Sequence, residues 1–520
     1  MQYVIYVAAG IVLLGLCIFV HELGHLLGGK MVGIKAKTFS IGMGKGIIKK
    51  TIGDTTYQIA PIPFGGFCQF YGEDPSEERT GQGYEFLSAH PLRRIVTVAM
   101  GPLFNLIFGI IIFFIMNMVG YSKDTNQVYI PEQMQSGKNA SAAYASGIRS
   151  GDWIVKMGKE EVRSFADISA AVMFSEGRKI DVTVKRDGKV LSLPVTPKKN
   201  EGSGRYEIGV MPHGSRILVV ELVDGGAAKD AGLREMDEIV SMDGKPVASE
   251  AEFSNYVNSH ADRKVVFRIS RKGKVFDREI APRLNDIVRF RSVDSKGVAG
   301  ETIPIMKSRN LQKYLEKGSI LINGRKIISY DGLIGTVKEN QGKIISFQIE
   351  KEQYRGTAEI DKVGLIGIFQ AVAPDQVQVK YGFGDAVVQS FVEPYKWIVL
   401  NLKGLGMLFT GRMNVRENLS GPIRIVQIAG QVAYYKGMSD FILLMAKISI
   451  ILMVMNLLPI PVVDGSHLIF FTIEMIRRKP MSQKVMERVQ TVGIVILALI
   501  MGFAIFNDIS MLPFIQNFFK

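Results

Sequence analysis

Three ionisable residues stand together at the end of the first apolar segment, in the stretch FVHELGHLLGG at residues 19–29. His21 and His25 are four positions apart, so on a helix their imidazoles would lie one turn apart on the same face. This spacing lets two ring nitrogens reach one metal ion, while the adjacent Glu22 can act as a general base toward water. The chain has only six histidines in 520 residues. Ionisable groups in an apolar, membrane-length segment are costly, and this cluster therefore predicts a catalytic zinc site.

Catalytic zinc takes three protein ligands, and Asp464 is the best candidate for the third. It interrupts a long apolar run in MNLLPIPVVDGSHL, at residues 455–468, where Pro459 and Pro461 prevent a regular helix. Asp464 could instead cap the helix that begins at Gly465. A carboxylate within a membrane usually has a partner, however, which favours the ligand role. His467 is the alternative ligand.

Four apolar segments reach or approach the roughly 20 residues that a membrane-spanning helix needs. Basic residues are concentrated in the loop between the first two segments and in the loop between the last two, which predicts that both loops are cytoplasmic. The net charge of +14 thus reflects membrane topology and not binding to nucleic acid. The first segment lacks the basic start of a signal peptide, so we expect it to be retained. The two cysteines, Cys17 and Cys68, indicate no disulfide framework.

The predicted cytoplasmic loop contains a β region. Residues 51–71, TIGDTTYQIAPIPFGGFCQFY, are typical of strands with a Pro/Gly interruption. An exposed strand edge here could pair with an unwound substrate by strand addition, and the alternative is a plain hairpin.

The predicted exported region is built from repeats. SGIRSGDWIVKM (residues 146–157) matches AGLREMDEIVSM (231–242), and VTVKRDGKV (182–190) matches FRISRKGKV (267–275), both at an offset of 85 positions (147 to 232). Residues 322–351 follow the second repeat at an offset of 80 positions (244 to 324) and predict a third, degenerate copy. The unit resembles the PDZ domain in its bacterial, permuted form. PDZ domains bind peptide C-termini by strand addition, and a size filter over the membrane is the competing role.

The predicted fold is a polytopic α-helical membrane protein with four transmembrane helices, a membrane-associated β-hairpin region and tandem α+β PDZ-like domains. An apolar but interrupted stretch at residues 383–411 predicts a helix lying in the membrane interface. The predicted boundaries are transmembrane helix 1 at 1–29, a cytoplasmic or re-entrant β region at 30–93, helix 2 at 94–121, PDZ-like domains at 124–200, 203–283 and 284–362, a linker with the interfacial helix at 363–439, helix 3 at 440–476 and helix 4 at 489–508.

Three motifs in different segments, HExxH, GPLFN at residues 101–105 and NxxPxPxxDG at 456–465, resemble the site-2 protease family. SIGMG (40–44), PIPFGGF (61–67) and LSGPI (419–423) are similar to its bacterial branch, the regulator-of-sigma-E proteases. The resemblance implies that one zinc ion is held by His21, His25 and Asp464 and that Glu22 is the catalytic base. It also implies substrate binding by four residues, namely Asn456, Pro459, Gly65 and Gly66. Ser466 departs from the pattern, since many relatives have glycine there.

This resemblance implies an intramembrane endopeptidase of the bacterial inner membrane, with the active site near the cytoplasmic face and the PDZ-like domains outside. Its expected partners are the lipid bilayer and spanning segments of single-pass proteins, such as anti-sigma factors or remnant signal peptides, after a first external cut. A membrane-anchored PDZ scaffold with a structural or vestigial metal site is the alternative. A zinc transporter has little support from four spans with one metal cluster.

Overall fold

The structure is a computed structural model of the chain. It describes residues 2–74, 80–131, 134–135, 140–200, 205–214, 216–223, 225–247, 250–271, 273–293, 299–305, 311, 314–315, 319–349, 352–413, 415, 421–479 and 482–510. The α-helices that it describes are α1 (Gln2–Met31), α2 (Pro91–Val119), α3 (Ala142–Ala145), α4 (Phe165–Phe174), α5 (Ala227–Asp230), α6 (Glu250–Ser259), α7 (Tyr330–Glu339), α8 (Phe383–Phe409), α9 (Pro422–Gln431), α10 (Met438–Leu457), α11 (Asp464–Arg477) and α12 (Gln483–Ser510). A π-helical turn, Val432–Lys436, follows α9.

Four of the described helices are long and apolar enough to cross a membrane, which confirms the prediction of four apolar spans. They cover Val4–Met31, Pro91–Val119, Met438–Leu457 and Arg488–Ile509. Helices α1 and α2 approach closely, because a Cβ atom added to Gly24 would lie 2.2 Å from the Met100 carbonyl oxygen. Small residues allow this backbone approach between membrane helices.

The third apolar segment is two helices, not the single element predicted for 440–476. Helix α10 ends at Leu457, and α11 begins only at Asp464. The Pro459–Pro461 stretch removes backbone donors and ends the helix. The two helices then pack tightly, because a Cβ atom on Gly465 would lie 2.1 Å from the Leu458 carbonyl oxygen.

The β region is a four-stranded mixed sheet, so the prediction of a hairpin region was too simple. Strands β2 and β3 form a hairpin, but β3 also pairs with β1 in parallel, and β4 pairs with β1 antiparallel. The order is β2-β3-β1-β4, with β4 at one edge. The strands are β1 (Ala36–Met43), β2 (Ile48–Ile52), β3 (Thr55–Ile59) and β4 (Ile62–Phe70).

Between α2 and α8 lie three modules, each with its own buried apolar core. The first module has the sheet order β10-β9-β7-β8, the second β18-β17-β15-β14-β25 with β16 paired to β15, and the third β20-β19-β24-β23-β21-β22. The strands from α2 to the end of the first module are β5 (Tyr121–Asp124), β6 (Val128–Tyr129), β7 (Trp153–Met157), β8 (Glu160–Glu161), β9 (Ile180–Arg186), β10 (Lys189–Val195), β11 (Lys198–Lys199), β12 (Tyr206–Glu207) and β13 (Met211–Pro212). The remaining strands are β14 (Arg216–Leu222), β15 (Glu238–Met242), β16 (Lys245–Pro246), β17 (Val265–Arg271), β18 (Lys274–Ile280), β19 (Arg283–Val293), β20 (Ala299–Ile305), β21 (Ile320–Ile322), β22 (Arg325–Ile327), β23 (Ile344–Ile349), β24 (Glu352–Leu365), β25 (Ile368–Ala373) and β26 (Gln376–Val379).

Equivalent side chains make equivalent contacts in the modules. In each of the first two modules an arginine donates to both oxygens of a buried aspartate, at 2.6 and 2.7 Å, and to a glycine carbonyl. These residues are Arg186, Asp152 and Gly147 in the first module and Arg271, Asp237 and Gly232 in the second. In the second and third modules the matching contacts are Val266 N–H to Asp243 at 2.7 Å and Ser346 N–H to Asn323 at 2.8 Å.

The third module is inserted within the second, so the predicted boundaries at 283/284 and 362/363 do not divide the chain into consecutive units. Strand β25 lies within the stretch predicted as linker, yet it pairs antiparallel with β14 of the second module from Arg216↔Ala373 to Leu222↔Ile368. Strand β25 completes the second module's sheet, and along the chain it follows the whole of the third module. Strand β24 likewise continues to Leu365, beyond the predicted end.

The modules join the membrane helices through a short two-stranded ribbon. Strand β5, directly after α2, pairs antiparallel with β26, which precedes α8. Helix α8 packs against α2 and α10, with Trp397 and Ile398 in the core that the membrane helices share. It is not among the four helices that meet the criteria for a span, and its interfacial position stays a prediction.

Candidate metal centre

Helix α1 places two imidazoles side by side. His21 and His25 lie one turn apart near its C-terminal end, each 9% exposed, and their Nε2 atoms are 3.1 Å apart. The backbone of α2 lies directly against both rings, because a Cβ atom on Gly101 would be 2.4 Å from His25 Nε2 and 3.0 Å from His21 Cε1. A glycine in the GPLFN motif therefore makes room for the two rings.

The loop between α10 and α11 brings a carboxylate to the same place. Asp464 Oδ2 is 3.1 Å from His21 Nε2, and Asp464 Oδ1 is 3.6 Å from His25 Nε2. Asp464 is the first residue of α11, directly after a loop in which Val462 has a φ of 85°. A β-branched residue rarely adopts this left-handed conformation, so the loop is held in a strained shape that aims Asp464 at α1.

The donor set fits a zinc ion. The ligand atoms of His21, His25 and Asp464 all lie within 4.8 Å of one another. The buried Asp464 Oδ2 faces His21 Nε2 at 3.1 Å without hydrogen-bond geometry, and no other donor in the described part of the chain reaches it. An unsatisfied buried carboxylate oxygen is unfavourable unless a cation accompanies it. Two histidines with one carboxylate form a known catalytic zinc set that leaves a coordination position open.

The second nitrogen of each imidazole is also engaged. His25 Nδ1 lies 3.1 Å from the Thr97 carbonyl oxygen, so Nδ1 donates its proton there and Nε2 keeps its lone pair for a cation. His21 Nδ1 lies 3.3 Å from the side-chain amide of Asn105, which is fully buried and also contacts Ser449. If Nε2 binds a cation, Nδ1 of His21 carries a proton and Asn105 must present its amide oxygen to it.

Glu22 opens onto a cavity of about 620 Å³ together with the three candidate ligands. Its carboxylate accepts a hydrogen bond from the backbone N–H of Cys68 in β4. Strand β4 lies close to α1 here, because a Cβ atom on Gly66 would lie 3.4 Å from Glu22 Cγ. Glu22 is therefore held beside the candidate ligands without belonging to their cluster.

The other predicted substrate residues occupy different places. Asn456 lines the cavity, with its amide nitrogen 3.4 Å from His21 Nε2. Pro459 lies in the loop before α11 and is not among the cavity-lining residues. Gly65 and Gly66 belong to β4 and are not among them either, although the next two residues of that strand are. Gly65 has a φ of 119°, a conformation that favours glycine.

The remaining histidines have other surroundings. His467 lines the cavity and packs on Phe471, with ring centroids 6.0 Å apart, but it is outside the cluster of candidate ligands. His90 accepts the Leu92 N–H at the start of α2, and His213 lies 2.8 Å from Asp375. His260 stacks on Tyr256.

Sequence reasoning missed several groups that support the site. Arg94 of α2 and Glu474 of α11 form a buried pair with distances of 2.6 and 3.2 Å, which ties the helix of Asp464 to the helix beside the imidazoles. Glu73 also lines the cavity, and burial raises the pKa of its carboxyl. Arg94 and Glu474 are 380 positions apart, so no local signal could have found them.

Proteins of similar sequence identify the family to which the chain belongs. The model of peptidase family M50 matches residues 9–500 of the chain. The chain is 27% identical over 530 residues to the regulator of sigma-E protease RseP of Escherichia coli K12, covering 97% of this chain and 98% of that protein. It is 26% identical over 524 residues to protease RseP of Yersinia pestis, with the same coverage. It is 25% identical over 521 residues to a protein of Treponema pallidum strain Nichols that is named as a zinc metalloprotease, again covering 97% and 98%. The chain therefore belongs to peptidase family M50, the site-2 protease family, and is a metalloprotease.

Proposed function

We propose that the chain is a zinc-dependent intramembrane endopeptidase that cleaves spanning segments of single-pass membrane proteins after a first external cut. The observation that carries this is the convergence of two imidazoles, Asp464 and Glu22 on one cavity next to helices of membrane-spanning length. His21, His25 and Asp464 would hold one zinc ion, which supplies Lewis acidity when it is bound.

Glu22 is assigned as the general base. Its carboxylate takes a proton from the attacking water and then delivers that proton to the leaving amine. The Cys68 N–H donates a hydrogen bond to this carboxylate and fixes its position. Asn456 donates its amide N–H toward the negative charge that develops on the scissile carbonyl oxygen.

Strand β4 would hold the substrate. A spanning substrate is helical, so its amides must exchange internal hydrogen bonds for others before cleavage. Strand β4 is the edge strand of the sheet, and Gly66 lies beside Glu22. An unwound substrate pairing with β4 near Gly65 and Gly66 would pass the candidate base. Pro459, in the loop that aims Asp464, would shape the opposite wall.

The proposed substrates are membrane-bound anti-sigma factors and remnant signal peptides. The names of the relatives, regulator of sigma-E protease, support the first class. The proposed location is the bacterial inner membrane, with the active site near the cytoplasmic face and the modules outside. The basic loops between the spans support this orientation.

Two variants test the roles at the metal centre. Glu22→Gln keeps shape and removes the base, so detergent-purified protein should retain zinc and lose cleavage of a model spanning substrate by at least about 100-fold. Glu73→Gln is the matched control, because it removes another carboxylate of the same cavity; most of the cleavage should remain. Undiminished turnover by Glu22→Gln would rule out the assigned base. Asp464→Asn should lower the zinc content of the purified protein. Full zinc occupancy in this variant would contradict the assignment of Asp464 as a ligand and favour His467 as the third ligand.

The three modules are proposed to be PDZ-like and to act as a size filter, admitting substrates whose external domain has been removed. Asp124 of β5 is paired with Gln376 of β26, so a short turn can replace residues 125–375 without moving the ribbon. This deletion should relax the selection for trimmed substrates and keep cleavage of short ones. Loss of cleavage of short substrates, in protein that still binds zinc, would count against filtering and favour a role for the modules in peptide binding.

A further inference from the structure

A second cavity lies between α1 and the β1–β3 face of the mixed sheet. It has a volume of about 390 Å³ and shares no lining residue with the cavity of the metal centre. Its walls are almost entirely apolar, with Leu23 and Leu26 contributed by α1 and Phe39 by β1. Phe39 packs against Phe19 of α1, with ring centroids 6.0 Å apart. We call this cavity the α1–sheet groove.

One row of the sheet gives the groove an apolar, exposed wall. Ile41, Ile59 and Ile48 are cross-strand neighbours on β1, β3 and β2 and line the groove together. Their exposed fractions are 43%, 48% and 63%. Three adjacent isoleucines left this open form an apolar patch, and such patches on a folded protein indicate a binding site or contact with lipid.

The next row along the same strands is amphipathic and cationic. Tyr57 pairs with Phe39 on one side and with Lys50 on the other. The Tyr57 hydroxyl accepts a hydrogen bond of 3.0 Å from Lys30 Nζ, in the last turn of α1. Two exposed ammonium groups, Lys30 and Lys50, therefore flank one hydroxyl at this end of the groove.

The two rows together have the polarity of a phospholipid. Lys30 follows Phe19 by 11 positions (19 to 30), so it lies about 16 Å further along the axis of α1. The cationic row adjoins Lys30, and the isoleucine row lies two residues further along each strand. No residue that lines the groove is acidic, so an anionic head group would meet only positive charge there.

We propose that the α1–sheet groove binds an anionic phospholipid of the surrounding leaflet. The phosphate would lie between Lys30, Lys50 and the Tyr57 hydroxyl, and an acyl chain would lie along the isoleucine row against Leu23. Strand β1 separates the groove from the outer edge of β4, and no residue of β4 lines the groove, so a lipid there would not occupy the β4 edge that a peptide would pair with. The bound lipid would fill the space between α1 and the sheet and so stabilise the sheet against the helix of the metal centre.

The test is lipid retention by the full-length protein in nanodiscs of phosphatidylcholine with a small fraction of phosphatidylglycerol, followed by native mass spectrometry. Each lysine near an anionic lipid contributes about fivefold, so Lys30→Gln with Lys50→Gln should reduce phosphatidylglycerol retention about 25-fold. The matched control is Lys45→Gln with Lys49→Gln, which has the same net charge. Lys49 lies next to Lys50 on β2, so its side chain points to the opposite face of the sheet.

We expect the control pair to lose less than fivefold and the wild-type protein to prefer phosphatidylglycerol. Equal losses in the two double variants would overturn the proposal in favour of general electrostatic attraction. No preference for phosphatidylglycerol in the wild-type protein would overturn it as well, because the groove would then not select an anionic lipid. A photocrosslinking residue in place of Ile59 identifies the occupant directly. A lipid adduct supports the proposal, whereas an adduct with substrate peptide or with a second copy of the chain contradicts it.

Discussion

The contact between Gly101 and the two imidazoles makes a sharp prediction for Gly101→Ala. The new Cβ atom would lie 2.4 Å from His25 Cε1 and Nε2 and 3.0 Å from His21 Cε1. Ordinary contact begins at 3.4 Å, so the His25 ring must move by about 1 Å. Overpacking of this kind costs about 1–3 kcal/mol. Because the displaced atom is the proposed ligand nitrogen, most of this cost should appear as weaker zinc binding, by about 5- to 150-fold.

The measurement is zinc affinity by competition with a chromogenic chelator, together with the thermal unfolding midpoint of the zinc-free protein. Gly109→Ala is the matched control, two turns further along α2. Its Cβ atom would meet the Ile450 side chain at 2.9 and 3.1 Å, and side-chain atoms can rotate away, while the Ala446 carbonyl oxygen would lie at an ordinary contact distance of 3.5 Å. We expect Gly109→Ala to lower the unfolding midpoint modestly and to leave zinc affinity within twofold of the wild type.

Unchanged zinc affinity in Gly101→Ala, in protein that unfolds at the wild-type temperature, would refute the close approach of α2 to the imidazoles. A large loss of folding stability with unchanged zinc affinity in the folded fraction would instead mean that the two imidazoles are not the ligands. The two failures are therefore distinguishable.

Three further predictions concern groups outside the proposed ligands. Arg94→Ala leaves the Glu474 carboxylate without its cation, so it should lower the free energy of unfolding by about 3–5 kcal/mol. Replacing both residues by methionine should lower the thermal unfolding midpoint less than Arg94→Ala does. Asn105→Ala should weaken zinc binding about 10- to 100-fold because His21 loses its partner, and Asn105→Asp, which keeps an acceptor, should weaken it less in a chelator competition. Hydrogen bonds from the Val266 N–H and a tyrosine hydroxyl lower the pKa of Asp243. The Asp243 carboxylate therefore stabilises the folded protein at pH values above its pKa in the unfolded chain. This stabilisation is lost as the pH falls through its lower pKa in the folded protein. Asp243→Asn, which copies Asn323 of the third module, should reduce the acid sensitivity of hydrogen exchange at Val266.

The cluster at the metal centre was predictable because chemically active residues are rare in apolar segments. His21, Glu22 and His25 stand out because no charged side chain precedes them in their helix, and Asp464 interrupts an apolar run after two prolines. The structure brings the three candidate ligands together, and their role in binding zinc stays a proposal. The four apolar spans were equally visible, since length and hydropathy determine them.

Long-range pairing was not predictable from local patterns. The parallel pairing of β1 with β3 depends on how the β2–β3 hairpin folds back, and each strand alone shows only its own alternation. The return of β25 to β14 pairs residues more than 140 positions apart, such as Leu222 with Ile368. Consecutive repeats indicate consecutive modules, so the sequence offers no sign that the third module is inserted in the second.

Helix α8 is the structural link between the modules and the metal centre. The first module rests on it through Lys403, which lies 4.3 Å from the ring centroid of Phe174, while Lys123 of the ribbon binds Glu393 at 3.0 Å. One turn after Glu393, Trp397 packs under Lys447 of α10, with the Lys447 Nζ atom 4.9 Å from the ring centroid. Helix α10 ends in the segment that carries Asn456, and the neighbouring α2 carries the glycine and the asparagine that contact the imidazoles. Helix α8 therefore connects the first module to the two helices that position the site, and the proposed size filter would need such a connection if it is to influence cleavage.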